Sequence, residues 1–256
     1  MFIEVKDVSV TYKQKKEVFQ ALQNVSLEIE KGEFICLLGP SGCGKSTLLG
    51  TMAGFEHPSE GTVVIDGKPV SKPSIEYLTI FQNYGLLPWR TVLKNVELGL
   101  ETKKIPKEER KELAQKYINL VGLSGTEQKH PYQLSGGMQQ RVAIARALAV
   151  NPEVLFMDEP FGALDAITRM KLQDDILRIC KEEGKTIIFV THDIEEAIFL
   201  SDRIVVMDAN PGRIKSIITV NMPTHRDRTS DEFVLARDKV FDIFHMKQSE
   251  QIEYYI

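Results

Sequence analysis

The 256-residue sequence is poor in cysteine, with only Cys36, Cys43 and Cys180. The three lie far apart, are odd in number and form no CxxC pair or other metal-ligand spacing. This pattern argues against a disulfide framework or a cysteine-based metal centre, and it favours a reducing compartment.

Long hydrophobic runs are also absent. No stretch approaches the roughly 20 apolar residues that span a bilayer, and the N-terminal segment lacks the charged start and apolar run of a secretory signal. We therefore expect a soluble, cytosolic chain that would depend on another chain for any membrane part. The net charge of −4 gives no basic footprint, which argues against a dedicated nucleic-acid binder.

What the sequence does contain is a succession of strand and helix patterns. Apolar and polar residues alternate from Phe2 to Tyr12 and, less strictly, from Ala21 to Glu30, which predicts two antiparallel strands separated by a polar loop at Lys13–Glu17. Continuous apolar runs predict buried strands at Phe34–Leu38, Val154–Met157 and Thr186–Thr191. Helical patterns cover 101–121, 135–150, 167–183 and 194–200, and a hairpin is expected across 203–220.

These patterns predict an α/β fold: a P-loop NTPase core with a mostly parallel sheet, an antiparallel β subdomain and an inserted helical subdomain. We expect one domain over residues 1–256, with the nucleotide-binding core in 1–88 and 150–220 and the helical subdomain in 89–149. The tail, 221–256, carries an amphipathic helix whose apolar side bears Phe233, Val240, Phe241 and Phe244. We favour packing of this helix on the domain over a regulatory or dimer contact.

One segment matches the phosphate-loop pattern GxxxxGK[ST] and lies between a strand and a helix pattern. Its glycines let successive N–H groups turn toward a β-phosphate, and the helix N-terminus adds partial positive charge. Lys45 is placed to reach the β- and γ-phosphates, and the Ser46 hydroxyl to ligate Mg²⁺. The predicted nucleotide-binding residues of this segment are Gly39, Pro40, Ser41, Gly42, Cys43, Gly44, Lys45, Ser46 and Thr47.

Two carboxylates follow the apolar strand that ends at Met157. Asp158 fits an acidic residue that holds Mg²⁺ directly or through water. Glu159 is placed to polarise a water for attack on the γ-phosphate. The alternative is that this acidic pair merely ends a strand and begins a turn, and the phosphate loop on the same chain favours the functional interpretation.

The segment Leu134-Ser135-Gly136-Gly137-Met138-Gln139-Gln140 lies between the phosphate loop and the acidic strand. Together with those motifs and His192, it resembles the signature of the ATP-binding cassette (ABC) family, and the resemblance covers nearly the whole chain. Met138 replaces the usual glutamine, and Gly162 before the D-loop is a second departure; both avoid the phosphate-contacting positions. The resemblance implies an ATPase that uses ATP and Mg²⁺.

The resemblance assigns roles to further residues. Tyr12 looks like the aromatic that stacks on adenine, and Gln82 like the glutamine that reaches Mg²⁺ and senses the γ-phosphate. Asp165 belongs to a D-loop-like segment, and His192 resembles the switch histidine that contacts the γ-phosphate and orients Glu159. Each residue carries little information alone, whereas their order along one chain favours the assignment.

Ser135, Gly136 and Gly137, with Gln139 in the same motif, open a predicted helix whose N–H groups would form an anion site. In the family this site binds the γ-phosphate held by the other subunit. The resemblance therefore implies a head-to-tail homodimer, or a pair of related ATPase subunits, with ATP bound between them. Hydrolysis would dissolve that contact, giving a two-state device.

The resemblance also narrows the kind of protein. A single phosphate loop, no membrane segment and no long heptad insertion disfavour fused exporters, two-cassette translation factors and chromosome-maintenance proteins. What remains is a separate ATPase subunit, peripheral at the cytoplasmic face of the inner membrane. It would dock on transmembrane permease subunits and act only indirectly with a solute-binding protein.

The segment from Asn83 to Val92, followed by Asn95-Val96, resembles the ATPases of nitrate, sulfonate and taurine importers. Its apolar residues are expected near the cleft that receives the permease, with the contact at Tyr84–Arg90. The alternative is that Trp89 packs within the helical subdomain. Relatives with similar segments import thiamine precursors, riboflavin or other small solutes. Two further functions stay open. One is a regulatory ATPase acting on a soluble partner, and the other is an exporter ATPase paired with separate membrane chains.

Overall fold

The structure is a computed structural model and describes residues 1–14, 17–81, 84–162, 164–223 and 226–245. Two sheets form its framework. The smaller is antiparallel, has the strand order β2-β1-β4-β5 and consists of β1 (Ile3–Gln14), β2 (Glu17–Ile29), β4 (Glu60–Ile65) and β5 (Lys68–Pro69). The predicted pair of antiparallel strands is confirmed, and the pairing extends further into the expected loop, to Gln14 opposite Glu17.

The larger sheet has the order β10-β9-β3-β8-β7-β6 and is parallel except for β10. All five residues of β3 and all six of β8 are buried, as expected for strands covered on both faces. The sequence analysis did not predict β6. The strands are β3 (Phe34–Leu38), β6 (Tyr77–Ile80), β7 (Val154–Asp158), β8 (Thr186–Thr191), β9 (Arg203–Asp208) and β10 (Arg213–Thr219).

Helices cover the sheet and fill the segment between β6 and β7. They are α1 (Lys45–Met52), α2 (Val92–Val96), α3 (Leu98–Thr102), α4 (Lys107–Leu120), α5 (Gly136–Ala149), α6 (Ala166–Glu182), α7 (Ile194–Leu200) and α8 (Asp231–His245), with a 3-10 turn at Pro131–Gln133. The helical pattern predicted over 101–121 is two helices, because Lys104 has a left-handed φ of 57° and Pro106 begins a new segment. None of the helices that the structure describes combines the length and hydropathy that crossing a bilayer requires.

The core has two layers. One cluster lies between the two sheets, and the other joins the large sheet to the helices. Helix α8 packs on the second cluster through the buried Phe233 and Val240, whereas Phe241 is partly exposed. This is the packing that we favoured for the tail helix; the division of the chain into core, helical subdomain and tail stays a prediction.

Candidate nucleotide site

Three parallel strands bring the sequence-predicted site residues to one edge of the large sheet. In the ladders, Leu38 of β3 lies opposite Thr191 of β8, and Asp158 of β7 lies opposite Val190. The carboxyl ends of these strands are therefore level, and the loops that follow them are neighbours. In open α/β sheets, ligands bind at this edge.

The phosphate loop connects β3 to α1. Gly44 precedes the helix with a left-handed φ of 92°, and a Cβ at this position would lie 2.9 Å from the carbonyl oxygen of Ala21 in β2. A side chain here would meet both strain and a clash, so only glycine fits. Strand β2 thus passes directly against the start of α1, whose free N–H groups suit an anion.

Lys45 is held inside this loop. Its Nζ donates to the carbonyl oxygens of Gly39 at 2.7 Å and Pro40 at 3.0 Å, and the residue is only 6% exposed. The charge is therefore fixed among loop carbonyls. Cys43 beside it is buried, and burial raises the pKa of its thiol although Lys45 acts in the opposite direction.

Ser46 and Asp158 form the second part of the site. The Ser46 hydroxyl donates to Oδ1 of Asp158 at 3.0 Å. Burial raises the pKa of Asp158, and the hydrogen bond from Ser46 partly offsets this shift. A hydroxyl and a carboxylate are hard oxygen ligands that fit Mg²⁺, which keeps waters and substrate phosphates as its other ligands. No group of three or more His, Cys, Asp or Glu side chains with metal-binding geometry occurs in the part of the chain that the structure describes.

Glu159 and His192 face each other beside this pair. Nδ1 of His192 and Oε1 of Glu159 are 3.1 Å apart. Glu159 has a left-handed φ of 47°, and its N–H donates to the carbonyl oxygen of Val190 at 3.1 Å. The exposed fraction is 26% for the Glu159 side chain and 66% for His192. A carboxylate on a strained backbone, paired with an accessible imidazole, is the arrangement expected of a water-positioning site.

Tyr12 and Asp165 lie on different elements. Tyr12 of β1 pairs in register with Phe19 of β2 and is 37% exposed, on the hairpin whose second strand backs the phosphate loop. Asp165 caps α6 by accepting from the N–H of Thr168. Hydrogen bonds from the backbone and side chain of Thr168 lower the pKa of the Asp165 carboxyl group. Gln82, a predicted site residue, lies outside the described residues.

The signature segment begins α5. The Ser135 side chain accepts from the N–H of Met138 at 3.3 Å, and Gln139 Nε2 donates to the carbonyl oxygen of Leu134 at 3.2 Å. The C-terminal half of α5 faces β6, which lies three strand positions from β3, or about 14 Å across the sheet. At the other end of the helix, Gly136 lies beside Tyr84, whose hydroxyl oxygen would be 3.1 Å from a Cβ at that position.

Comparison with known proteins identifies the family. A family model described as "ABC transporter" matches residues 22–162. The chain belongs to the ABC transporter family. It is an ATPase, and its fold is the ABC cassette fold: it superposes with a TM-score of 0.80 on a dimeric post-hydrolysis state of the ATP-binding cassette MJ0796 bound to ADP and Pi, at 37% identity, covering 86% of this chain and all of that one.

Relatives match this ABC ATPase along almost its whole length. An uncharacterized ABC transporter ATP-binding protein of Methanocaldococcus jannaschii is 53% identical, with 94% of this chain and 90% of the relative covered. The aliphatic sulfonates import ATP-binding protein SsuB of Bacillus cereus is 46% identical over 95% and 96%. The taurine import ATP-binding protein TauB of Yersinia pestis is 48% identical over 86% and 89%.

The sequence analysis assigned no supporting role to two polar residues of the ABC ATPase that hold the segment from Tyr84 to Thr91. Buried Asn95 accepts from the N–H of Leu87 and donates to the carbonyl oxygens of Leu87, Arg90 and Thr91. Arg146 of α5 donates to the carbonyl oxygens of Tyr84 and Gly85. One sequence does not reveal these contacts, because an asparagine or arginine in a helical pattern usually faces solvent.

Proposed function

We propose that this ABC ATPase is the energy-coupling subunit of an importer for a sulfonate, taurine, nitrate or similar small solute. The observation that carries the proposal is the similarity to the SsuB and TauB import proteins, which extends over 86–95% of this chain. Both relatives are named as import ATP-binding proteins. The similarity therefore supports a function in import more directly than it supports the class of solute.

In the proposed chemistry, the glycine loop and Lys45 hold the β- and γ-phosphates of ATP. Ser46 and Asp158, with Gln82, would hold Mg²⁺, which neutralises the charge that develops on the phosphates. Glu159 positions the attacking water, and His192 orients the Glu159 carboxylate and contacts the γ-phosphate. The pairs Ser46–Asp158 and Glu159–His192, at 3.0 and 3.1 Å, support this division of roles.

We further propose that two subunits associate head to tail and share two ATP molecules. Ser135, Gly136 and Gly137 lie at the N-terminus of α5, where free N–H groups would bind the γ-phosphate of a nucleotide held by the second chain. The superposable MJ0796 cassette is dimeric. In this arrangement Tyr12 would stack on adenine, and Asp165 would lie near the contact between subunits.

A complementation experiment tests the sharing of sites. Lys45→Ala removes from one chain the lysine charge that would bind the phosphates, and Ser135→Arg blocks the signature of another chain. Both substitutions are made in a Glu159→Gln background to stop hydrolysis. Neither variant should associate with itself in ATP. Mixed together, they should form a heterodimer with one intact site, measured by size-exclusion chromatography with light scattering.

A mixture that stays monomeric, while Glu159→Gln alone forms a dimer in ATP, would contradict the shared site. Lys68→Ala serves as a matched control, because Lys68 is an exposed lysine on β5. It should behave as the parent does in every mixture.

We propose that the permease docks near Tyr84–Arg90. A groove of about 330 Å³ runs between the large sheet and α5, and its lining includes Leu78, Phe81, Tyr84 and Ala147. Trp89 is 72% exposed, which favours the interface interpretation over packing inside the helical region. Exposed aromatics beside an apolar groove are typical anchors of interfaces.

Trp89 also supplies the test, because it is the only tryptophan in the sequence. Addition of permease in detergent should shift its fluorescence to shorter wavelength, and Trp89→Ala should reduce solute-stimulated ATP hydrolysis while basal hydrolysis is retained. Binding to a soluble partner with no response to the permease would favour the regulatory ATPase instead. Solute-stimulated hydrolysis measured with taurine, alkanesulfonates and nitrate would then identify the solute class.

A further inference from the structure

Thr191, the residue before His192, makes two hydrogen bonds with residues that follow the histidine. The hydroxyl of Thr191 accepts from the N–H of Asp193 at 3.0 Å and donates to Oε2 of Glu196 at 2.7 Å. His192 lies in the sequence between Thr191 and both of these partners, so the two hydrogen bonds span the turn that carries it. The Thr191 hydroxyl therefore joins this turn to α7, whose first N–H groups are capped by Oδ1 of Asp193.

Glu196 connects this turn to the helix that follows the D-loop segment. Its other oxygen accepts from Nε2 of Gln173 in α6 at 3.0 Å, and Nε of Arg169 lies 3.9 Å from the same oxygen. All three contacts are made by a buried carboxyl group, and burial raises its pKa. A buried polar group of this kind is costly unless its partners are in place, so a satisfied network fixes the elements that it joins.

The C-terminal segment completes the network. Nη2 of Arg228 donates to Oε1 of Gln173 at 2.6 Å, and its guanidinium lies 3.5 Å from the centre of the Phe199 ring in α7. Gln173 is thus oriented from both sides: its oxygen accepts from Arg228 and its nitrogen donates to Glu196. The amide cannot turn over without losing both bonds.

We propose that Thr191 and Glu196, supported by Gln173, are positioning residues for ATP hydrolysis that hold the His192 imidazole against Glu159. The inference rests on the role proposed above for His192. It adds that α6, which begins directly after Asp165, is mechanically joined to the turn that carries the histidine. A shift of α6 at the subunit contact would then displace the imidazole.

The first test uses a pair of substitutions at Thr191. Thr191→Val keeps the shape and removes the hydroxyl, whereas Thr191→Ser keeps the hydroxyl. We expect Thr191→Val to lower kcat roughly 10- to 100-fold through misplacement of the ring, with the Kd for ATP within about twofold of wild type. Thr191→Ser should retain most of the activity.

The second readout is independent of turnover. The sequence has five histidines, and the ¹³Cε1 signal of His192 can be assigned as the one lost in His192→Gln. Thr191→Val and Glu196→Ala should move or broaden this signal. Thr191→Ser and Glu196→Gln should leave it in place, because a glutamine at 196 can still bond to both Thr191 and Gln173.

Unchanged His192 signals in both Thr191→Val and Glu196→Ala would overturn the positioning role, whatever happens to kcat or thermal stability. A moved signal with unchanged kcat would support the network and contradict the proposed role of His192. Full hydrolysis by His192→Ala would likewise count against the proposed function and leave the NMR test of the network intact.

Discussion

Two regions of the molecule are suited to bind phosphate, yet different contacts hold their residues in place. The first is the phosphate-loop site, called the mouth here, with Lys45, Ser46, Asp158, Glu159 and His192. The second is the signature end of α5, Ser135 to Gly137. At the mouth, Lys45 is tied to loop carbonyls, Ser46 to Asp158 and Glu159 to His192. At the signature end, the Ser135 side chain caps its own helix. Two of the pairs at the mouth, Ser46–Asp158 and Glu159–His192, join residues distant in sequence, whereas the signature end is organised by its immediate neighbours.

This difference bears on how the two regions act. A site preorganised by long-range contacts stabilises charge without rearrangement when the reaction occurs. A helix end with free N–H groups offers attraction to any phosphate that reaches it and performs no chemistry alone. The comparison therefore supports catalysis at the mouth and recognition of a second subunit's nucleotide at the signature.

The largest expected effect comes from Glu159→Gln. Loss of the carboxylate that positions water should lower kcat about 10²- to 10⁴-fold, while ATP binding is retained and an ATP-bound dimer accumulates. Single-turnover hydrolysis and light scattering measure the two effects. Glu60→Gln, a change at an exposed strand residue, is the control. A Glu159→Gln protein that remains monomeric in saturating MgATP would contradict the comparison. ATP bound at the phosphate loop would then not be recognised by the signature end of a second subunit.

Lys45→Ala should weaken ATP binding about 100-fold, since the phosphates lose a charge-assisted hydrogen bond in a buried site. Equilibrium binding of a fluorescent ATP analogue measures the change, with Lys68→Ala as control. Retained affinity would mean that the backbone of the loop suffices. In that case the mouth would resemble the signature end more closely than the hydrogen bonds indicate.

Ser135→Ala should have a smaller effect on the isolated subunit. Loss of the N-cap of α5 is expected to cost about 1 kcal/mol of the free energy of unfolding, measured by urea denaturation, with ATP binding to the monomer unchanged. ATP-dependent association in the Glu159→Gln background should weaken more than this. Equal loss in both assays would indicate that Ser135 serves only as a cap.

The sequence alone predicted most of the large sheet, because buried strands such as Phe34–Leu38 and Thr186–Thr191 are continuous apolar runs. It did not predict β6, whose four residues are too few to show a period and form a strand only beside β7. It placed Lys45, Ser46, Asp158 and Glu159 in one site by motif order, while their roles and that of Gln82 stay predictions.

The supporting residues could not be predicted for a different reason. Glu196 follows an ordinary exposed-helix pattern, and only the fold shows that it is buried against Gln173 and Thr191. The same holds for Asn95, whose four hydrogen bonds all go to a loop. Contacts of this kind depend on how elements pack, and that information is not local in the sequence.

The smallest expected effect concerns the protonation of Glu196. This carboxyl group is hydrogen-bonded to Thr191, the residue before His192, so its charge bears on how the mouth is held. Burial raises the pKa of this carboxyl group above its ordinary value of 4.5, an effect that outweighs the hydrogen bond from Thr191 and the attraction of Arg169 and His192, while Asp193 raises the pKa further. The folded protein therefore holds this proton more tightly than the unfolded chain does, and the corresponding stability is complete below about pH 4.5 and is lost as pH rises through the folded pKa.

Glu196→Gln removes this titration, so we expect the stability of wild type relative to the variant to fall as pH rises above 4.5. Urea denaturation of both proteins across pH 4 to 8 measures the difference, in which the contributions of all other groups cancel. A constant difference would show that Glu196 is as acidic in the folded protein as in the unfolded chain. The network behind His192 would then be held by an ion pair with Arg169, and Arg169→Gln should in that case disturb the His192 signal as strongly as Glu196→Ala does.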